Sequence, residues 1–173
     1  MDPLLAANRL PKLAERAMRA AVLRAVASTR ATPRALVDDA LVRFERAVQR
    51  EATDGVRPAL LFAERDRIVR ELRMFIEGRL AARLVALRGR DVIALGRDAA
   101  PFDAVVRGRR GGHYAIVFRR WPNDGRRLEM LRRARNAAEK YTTTALIGVV
   151  AYDFARGVAR TVKCGATPAS LAA

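Results

Sequence analysis

The sequence predicts an α/β chain, and three observations predict it. Apolar residues recur at helical spacing from Lys12 to Arg88; the spacing shortens to that of strands after Gly89; and a helical stretch over 126–140 runs into an apolar, β-branched stretch over 144–152. A length of 173 residues with 51% hydrophobic residues suits one domain with a substantial core plus a small helical addition.

The first helix is expected over 12–28, where Leu13, Ala17, Ala20, Ala21, Leu23 and Val26 form an apolar stripe among arginines. Thr32-Pro33 supplies an N-cap and a proline at the first helical position. It opens a second helix through Glu51, with Leu36, Val37, Ala40, Leu41, Phe44 and Val48 on one side. Thr53-Asp54-Gly55 breaks that helix, so residues 1–55 are expected to form a helical hairpin and residues 56–173 the α/β core domain. Pro58 opens a third, longer helix, expected to reach Arg88 on the stripe Leu61, Ile68, Leu72, Phe75, Ile76, Leu80, Leu84 and Leu87.

Three short strands follow, at 91–95, 102–107 and 113–119. The last two are joined by Gly108-Arg109-Arg110-Gly111-Gly112, a link short enough to require an antiparallel hairpin. Helical spacing returns over 126–140 with Leu128, Leu131, Ala134, Ala138 and Tyr141. The apolar stretch Thr144 to Tyr152 then has the composition of a strand covered on both faces and parallel to a neighbour. Val158 to Lys163 is compatible with a further strand, and the Ala/Ser/Pro-rich tail with a frayed end.

The chain carries 34 Lys+Arg against 18 Asp+Glu, a formal net charge of +16. Its lysines are Lys12, Lys140 and Lys163; the remaining basic residues are arginines. Such an excess favours a polyanionic partner over a neutral small substrate, and nucleic acid is the expected one, DNA favoured over RNA. A protein partner or a homodimer is compatible with the same sequence. A membrane is not expected, because the basic residues are spread over several elements and the longest apolar run, Ala145 to Tyr152, is far too short to span a bilayer. The single cysteine, Cys164, excludes an intramolecular disulfide framework and a cysteine-rich zinc site. With no basic, apolar leader at Met1 to Leu5, a cytoplasmic protein is expected.

Glu77 late in the third helical pattern, Asp103 in the second strand, Val117 and Arg119 two apart in the third, and a basic helix afterwards give the order α, β, β, β, α, β over about residues 58–152. That order resembles the αβββαβ core of the restriction-endonuclease-like PD-(D/E)XK nuclease superfamily. The resemblance implies a metal site on Glu77 and Asp103, a second acid where Val117 stands, and a lysine where Arg119 stands. Two of those four side chains depart from the pattern. Mg²⁺ is held by carboxylates and waters, so the loss of an acid at Val117 weakens any metal site. A guanidinium effectively never loses its proton, so Arg119 cannot act as a neutral base, though it can clamp a phosphate oxygen.

Three functions follow as expectations. The first is a nucleic-acid-binding protein with an inactive nuclease-like core, a component of a larger DNA- or RNA-processing assembly, needing no cofactor and using Arg109, Arg110, Arg119, Arg120, Arg132 and Arg133 for phosphate contacts. The second is an active Mg²⁺-dependent nuclease whose missing acid has migrated to Glu129, with Glu77 and Asp103 as its other carboxylates and Lys140 on the same helix. The third is a pseudo-nuclease scaffold for protein partners. Glu129 is also placed for an ordinary i,i+4 ion pair with Arg133, and Glu77 for one with Arg73. His113, the only histidine, has the position of a structural residue at a strand start; Trp121 beside Pro122 has that of a hydrophobic cap.

Overall fold

A computed structural model describes residues 3–27, 32–51, 56–78, 81, 91–96, 100–108, 111–119, 127–144 and 146–163. The chain divides into two compact units, Met1–Ala82 and Arg83–Ala173.

The first unit is helical: α1 (Pro3–Ala27), α2 (Pro33–Glu51) and α3 (Pro58–Glu77), each packed on the other two. α1 starts nine residues earlier than the sequence pattern suggests, with Pro3 in the first turn, where its missing N–H has no helical partner to lose. Leu10, Leu13, Ala14, Ala17, Met18 and Ala21 are its buried stripe. The N-cap of α2 forms as expected: the Thr32 hydroxyl accepts the Ala35 N–H at 3.2 Å, and the Thr32 carbonyl accepts the Leu36 N–H at 3.1 Å. Leu36, Ala40 and Phe44 are buried along α2.

α3 departs from expectation in two ways. It ends at Glu77, because Gly78 takes extended angles (φ −80°, ψ 153°) and turns its N–H to the Phe75 carbonyl at 3.0 Å. Glycine is a poor helix former, and here its departure outweighs the continuing apolar stripe; Leu80, Leu84 and Leu87 lie outside the described residues. Second, α3 belongs to the helical unit, whereas the sequence joins it to the core domain at a boundary near Asp54-Gly55. Its buried face, Ile68, Leu72 and Phe75, includes Glu71, which faces Arg67 of the preceding turn at 3.6 Å.

The second unit is α/β. Its described strands are β1 (Val92–Leu95), β2 (Ala104–Arg107), β3 (His113–Arg119), β4 (Leu146–Asp153) and β5 (Val158–Lys163), arranged in the order β1-β2-β3-β4-β5 in one mixed sheet. β1, β2 and β3 form an antiparallel meander, β4 lies parallel to β3, and β5 returns antiparallel to β4. Parallel neighbours need a crossover. Helix α4 (Arg127–Ala138) and a 3-10 turn (Glu139–Tyr141) supply it, with α4 packed on β3 and β4. The hairpin between β2 and β3 closes with the Gly108 N–H on the Gly112 carbonyl at 2.8 Å and Gly111 at φ 81°; Arg109 and Arg110 lie outside the described residues.

Alternation along the strands explains the core. Val105, Ala115, Val117, Val149 and Ala151 pack with Leu131, Ala134 and Ala138 of α4 in one buried cluster. The alternate residues Phe118 and Tyr152, with Phe154 just after β4, are also buried and form an aromatic trio with ring centroids 5.4–6.3 Å apart. β4 is therefore largely buried and parallel to a neighbour, as its composition predicts. No helix of the described residues is long and apolar enough to cross a membrane.

Candidate functional site

In an open α/β sheet, the carboxyl ends of parallel strands are where side chains from several elements converge beyond the packed core. Here that end is formed by Arg119 at the close of β3 and Asp153 at the close of β4, which are partners in register. Because β2 runs the opposite way, Asp103 just before it arrives at the same end. Its N–H donates to the Ile116 carbonyl at 2.8 Å, which continues the β2–β3 ladder one residue past Ala104.

The Asp103 carboxylate, 1% exposed, accepts two hydrogen bonds on Oδ2: from the Phe118 N–H at 2.7 Å and from Nη1 of Arg119 at 2.9 Å. The same Nη1 donates to the Phe118 carbonyl at 2.7 Å, and the Arg119 side chain is only 13% exposed. The pair thus extends the sheet by side chains: it satisfies backbone groups of Phe118 and neutralises a buried carboxylate with a part-buried guanidinium. Val117 is 0% exposed and sits in the apolar cluster under α4.

These donors do not fit Mg²⁺, the ion that the nuclease resemblance implies. A hard cation needs several oxygen ligands. Asp103 offers one carboxylate already engaged by a guanidinium and an amide, and its neighbour across the hairpin is a valine. Among the described residues no group of three or more His, Cys, Asp or Glu side chains is placed to hold a metal. Glu77 is exposed at the end of α3 in the first unit. Glu129 is on α4 with its side chain 63% exposed, ion-paired with Arg133 one turn on. Lys140 is exposed in the 3-10 turn.

Of the arginines expected to contact phosphate, Arg132 and Arg133 are exposed on α4, Arg119 is held in the pair with Asp103, and Arg109, Arg110 and Arg120 lie outside the described residues. His113 is structural in its contacts: it is buried, with Nδ1 2.8 Å from the Thr144 hydroxyl. Trp121 and Cys164 lie outside the described residues.

The sheet end also holds residues that the sequence did not single out. A cavity of about 40 Å³ is lined by Arg127, Ala151, Asp153, Arg156, Val158 and Arg160. It adjoins the Asp103–Arg119 pair through the backbone, since the Phe154 N–H donates to the Arg119 carbonyl at 3.0 Å. The available signal was Asp153 to Gly157: an acid closing a buried strand, an arginine, then a glycine, the makings of a tight turn at the carboxyl end of a parallel strand. No protein-family model, curated protein or solved structure gives a significant match to the chain.

Proposed function

We propose that the chain is a nucleic-acid-binding protein built on a restriction-endonuclease-like core whose catalytic site has lost its chemistry. Its charge carries the proposal. After Ala82 there are 18 Lys+Arg against 7 Asp+Glu, so the α/β unit alone holds +11 of the net +16. An excess of that size on one small unit favours a polyanion, and arginine forks match phosphate oxygens. The strand order and the parallel crossover through α4 agree with the αβββαβ resemblance for the elements after α3.

The Asp103–Arg119 pair supports the catalytically silent part of the proposal. A carboxylate that already balances a guanidinium has little left to offer a metal, and Arg119 supplies no base. The natural setting of such a protein is a larger DNA- or RNA-processing assembly, in which it supplies phosphate contacts. The test is fluorescence anisotropy on labelled single- and double-stranded DNA and RNA over a salt series. Binding that weakens steeply with salt and shows little sequence preference is expected, because counterion release depends on phosphates and not on bases. No binding at low salt would leave the charge to some other acidic partner and overturn the proposal.

A further inference from the structure

Tyr141 stands one turn beyond Ala138 on the apolar stripe of α4, yet it does not share the burial of that stripe. Leu131, Ala134 and Ala138 are buried, whereas Tyr141, in the 3-10 turn, is 57% exposed. Of the other described aromatic residues in this unit, Phe102, Phe118, Tyr152 and Phe154 are buried and Tyr114 is half-buried. Exposure alone carries nothing, since single apolar residues are common at surfaces; this ring is also held in place. It meets the buried Phe102 edge to face, with centroids 5.5 Å apart and an interplanar angle of 71°. In that arrangement at least one face of the Tyr141 ring is left uncovered by Phe102. The backbone beneath is closed by Thr142, whose N–H and hydroxyl both donate to the Glu139 carbonyl at 3.3 Å. A flat apolar surface fixed in this way loses little freedom when a second ring stacks on it.

Charge around the ring suits a phosphodiester strand. Glu139, the acid of the turn, is held by Nε of Arg135 at 2.9 Å, so its charge is balanced locally. Lys140 is exposed beside Tyr141 at the carboxyl end of α4, where the helix dipole would otherwise repel an anion. Arg133, Asn136 and Lys140 are all exposed and fall at helical spacing, a row of about 10 Å that ends next to Tyr141. Arg133 keeps its partner Glu129 along that row, in a surface pair that solvent already weakens.

We propose that Tyr141 stacks on a base of a single-stranded nucleic acid, with Lys140 and the row toward Arg133 following the phosphates of the strand; this rests on the nucleic-acid-binding function proposed above. A duplex keeps its bases stacked on one another and offers a base face only at its ends, so an exposed ring selects for single strands.

The full chain, Tyr141→Ala and Tyr141→Phe are titrated by fluorescence anisotropy with a labelled thymidine strand, an abasic strand of the same length and a blunt duplex, over a salt series. Thermal melting followed by circular dichroism checks that each variant folds. The unaltered chain is expected to bind the thymidine strand more tightly than the abasic strand, which has the phosphates without the bases. Tyr141→Ala should weaken binding of the thymidine strand about tenfold, the order expected for one lost stack, with the salt slope unchanged because no phosphate contact is removed. Its binding of the abasic strand and the duplex should be unaltered, and Tyr141→Phe should match the unaltered chain throughout. A folded Tyr141→Ala with unchanged affinity for the thymidine strand overturns the stack while the nucleic-acid function stands. An equal loss on the abasic strand or the duplex, or a loss in Tyr141→Phe as large as in Tyr141→Ala, overturns it too. A chain that binds none of the three at low salt overturns both. Should Tyr141→Ala fail to melt cooperatively, Tyr141→Leu, which keeps an apolar side chain beside Phe102, takes its place. Equal affinity of the unaltered chain for the thymidine and abasic strands overturns the stack in any case.

Discussion

Nη1 of Arg119 lies 2.9 Å from Oδ2 of Asp103, and the two side chains are 13% and 1% exposed. The pair joins the strand end that precedes β2 to the end of β3, and it takes up the Phe118 N–H and carbonyl on the way. Breaking a buried pair is more damaging than replacing it, because the survivor is left charged without a partner. Asp103→Ala is therefore expected to destabilise the fold by about 3–5 kcal/mol. Arg119→Met should do comparable harm, and Asp103→Leu with Arg119→Met should cost clearly less than the two single changes summed. Urea denaturation followed by circular dichroism measures all three. Additive losses would show that the two side chains act independently.

Val117 stands where the nuclease resemblance calls for a second acid, so Val117→Glu with Arg119→Lys is the obvious attempt to restore a metal site. The structure predicts that it fails. Val117 packs against Val105, Leu131 and their neighbours, and a carboxylate placed there loses its hydration without gaining a partner. A loss of at least about 3 kcal/mol is expected, with no cleavage gained in Mg²⁺ or Mn²⁺. Denaturation and a nuclease assay on the same sample read both outcomes.

Gly157 closes the turn between β4 and β5 at φ 66°, a left-handed conformation in which a side chain meets its own backbone. Gly157→Ala should destabilise the second unit by about 1–2 kcal/mol, whereas Ala155→Gly should have a smaller effect. Comparison of the two by chemical denaturation checks whether the turn conformation, and not glycine content, matters.

Arg132 and Arg133 are exposed on α4, and the pair that Arg133 makes with Glu129 is a surface pair that solvent already weakens. Arg132→Ala with Arg133→Ala should lower nucleic-acid affinity in low salt and reduce the salt slope by up to about two, with little change in stability. An unchanged slope would place the phosphate contacts elsewhere on the surface.

Much of the fold was legible because local chemistry and packing agree. Thr32-Pro33 announces the start of α2, the glycines at 108–112 announce the hairpin, and the apolar stretch into Tyr152 announces a strand parallel to its neighbour. The end of α3 was not, because Leu80, Leu84 and Leu87 continue the apolar stripe past Gly78, and a stripe does not reveal whether one glycine will be extended. Nor was the packing of α3 with α1 and α2, since an amphipathic helix shows that it has a partner but not which one. At the site, the strand alternation that brings Asp103 and Arg119 to one face was readable. Their direct pairing was not, because it depends on Arg119 folding back over the Phe118 carbonyl. Arg127 stands well before Arg156 and Arg160 in the chain and lines the same cavity only through the parallel crossover, so composition counts these arginines without locating them.

The most direct test of the central claim, a strand bound through its phosphates and left intact, is one gel experiment. Labelled DNA is incubated with the purified chain and Mg²⁺ or Mn²⁺ at low salt. Half of each sample is run native to read binding, and half is stripped of protein and run denaturing to read strand length. The predicted result is a retarded complex at low salt that is lost as salt rises, with the strand at full length throughout. Shortened strands that disappear with a chelator and in Asp103→Ala, or full-length strands with no retarded complex at any salt, would contradict it.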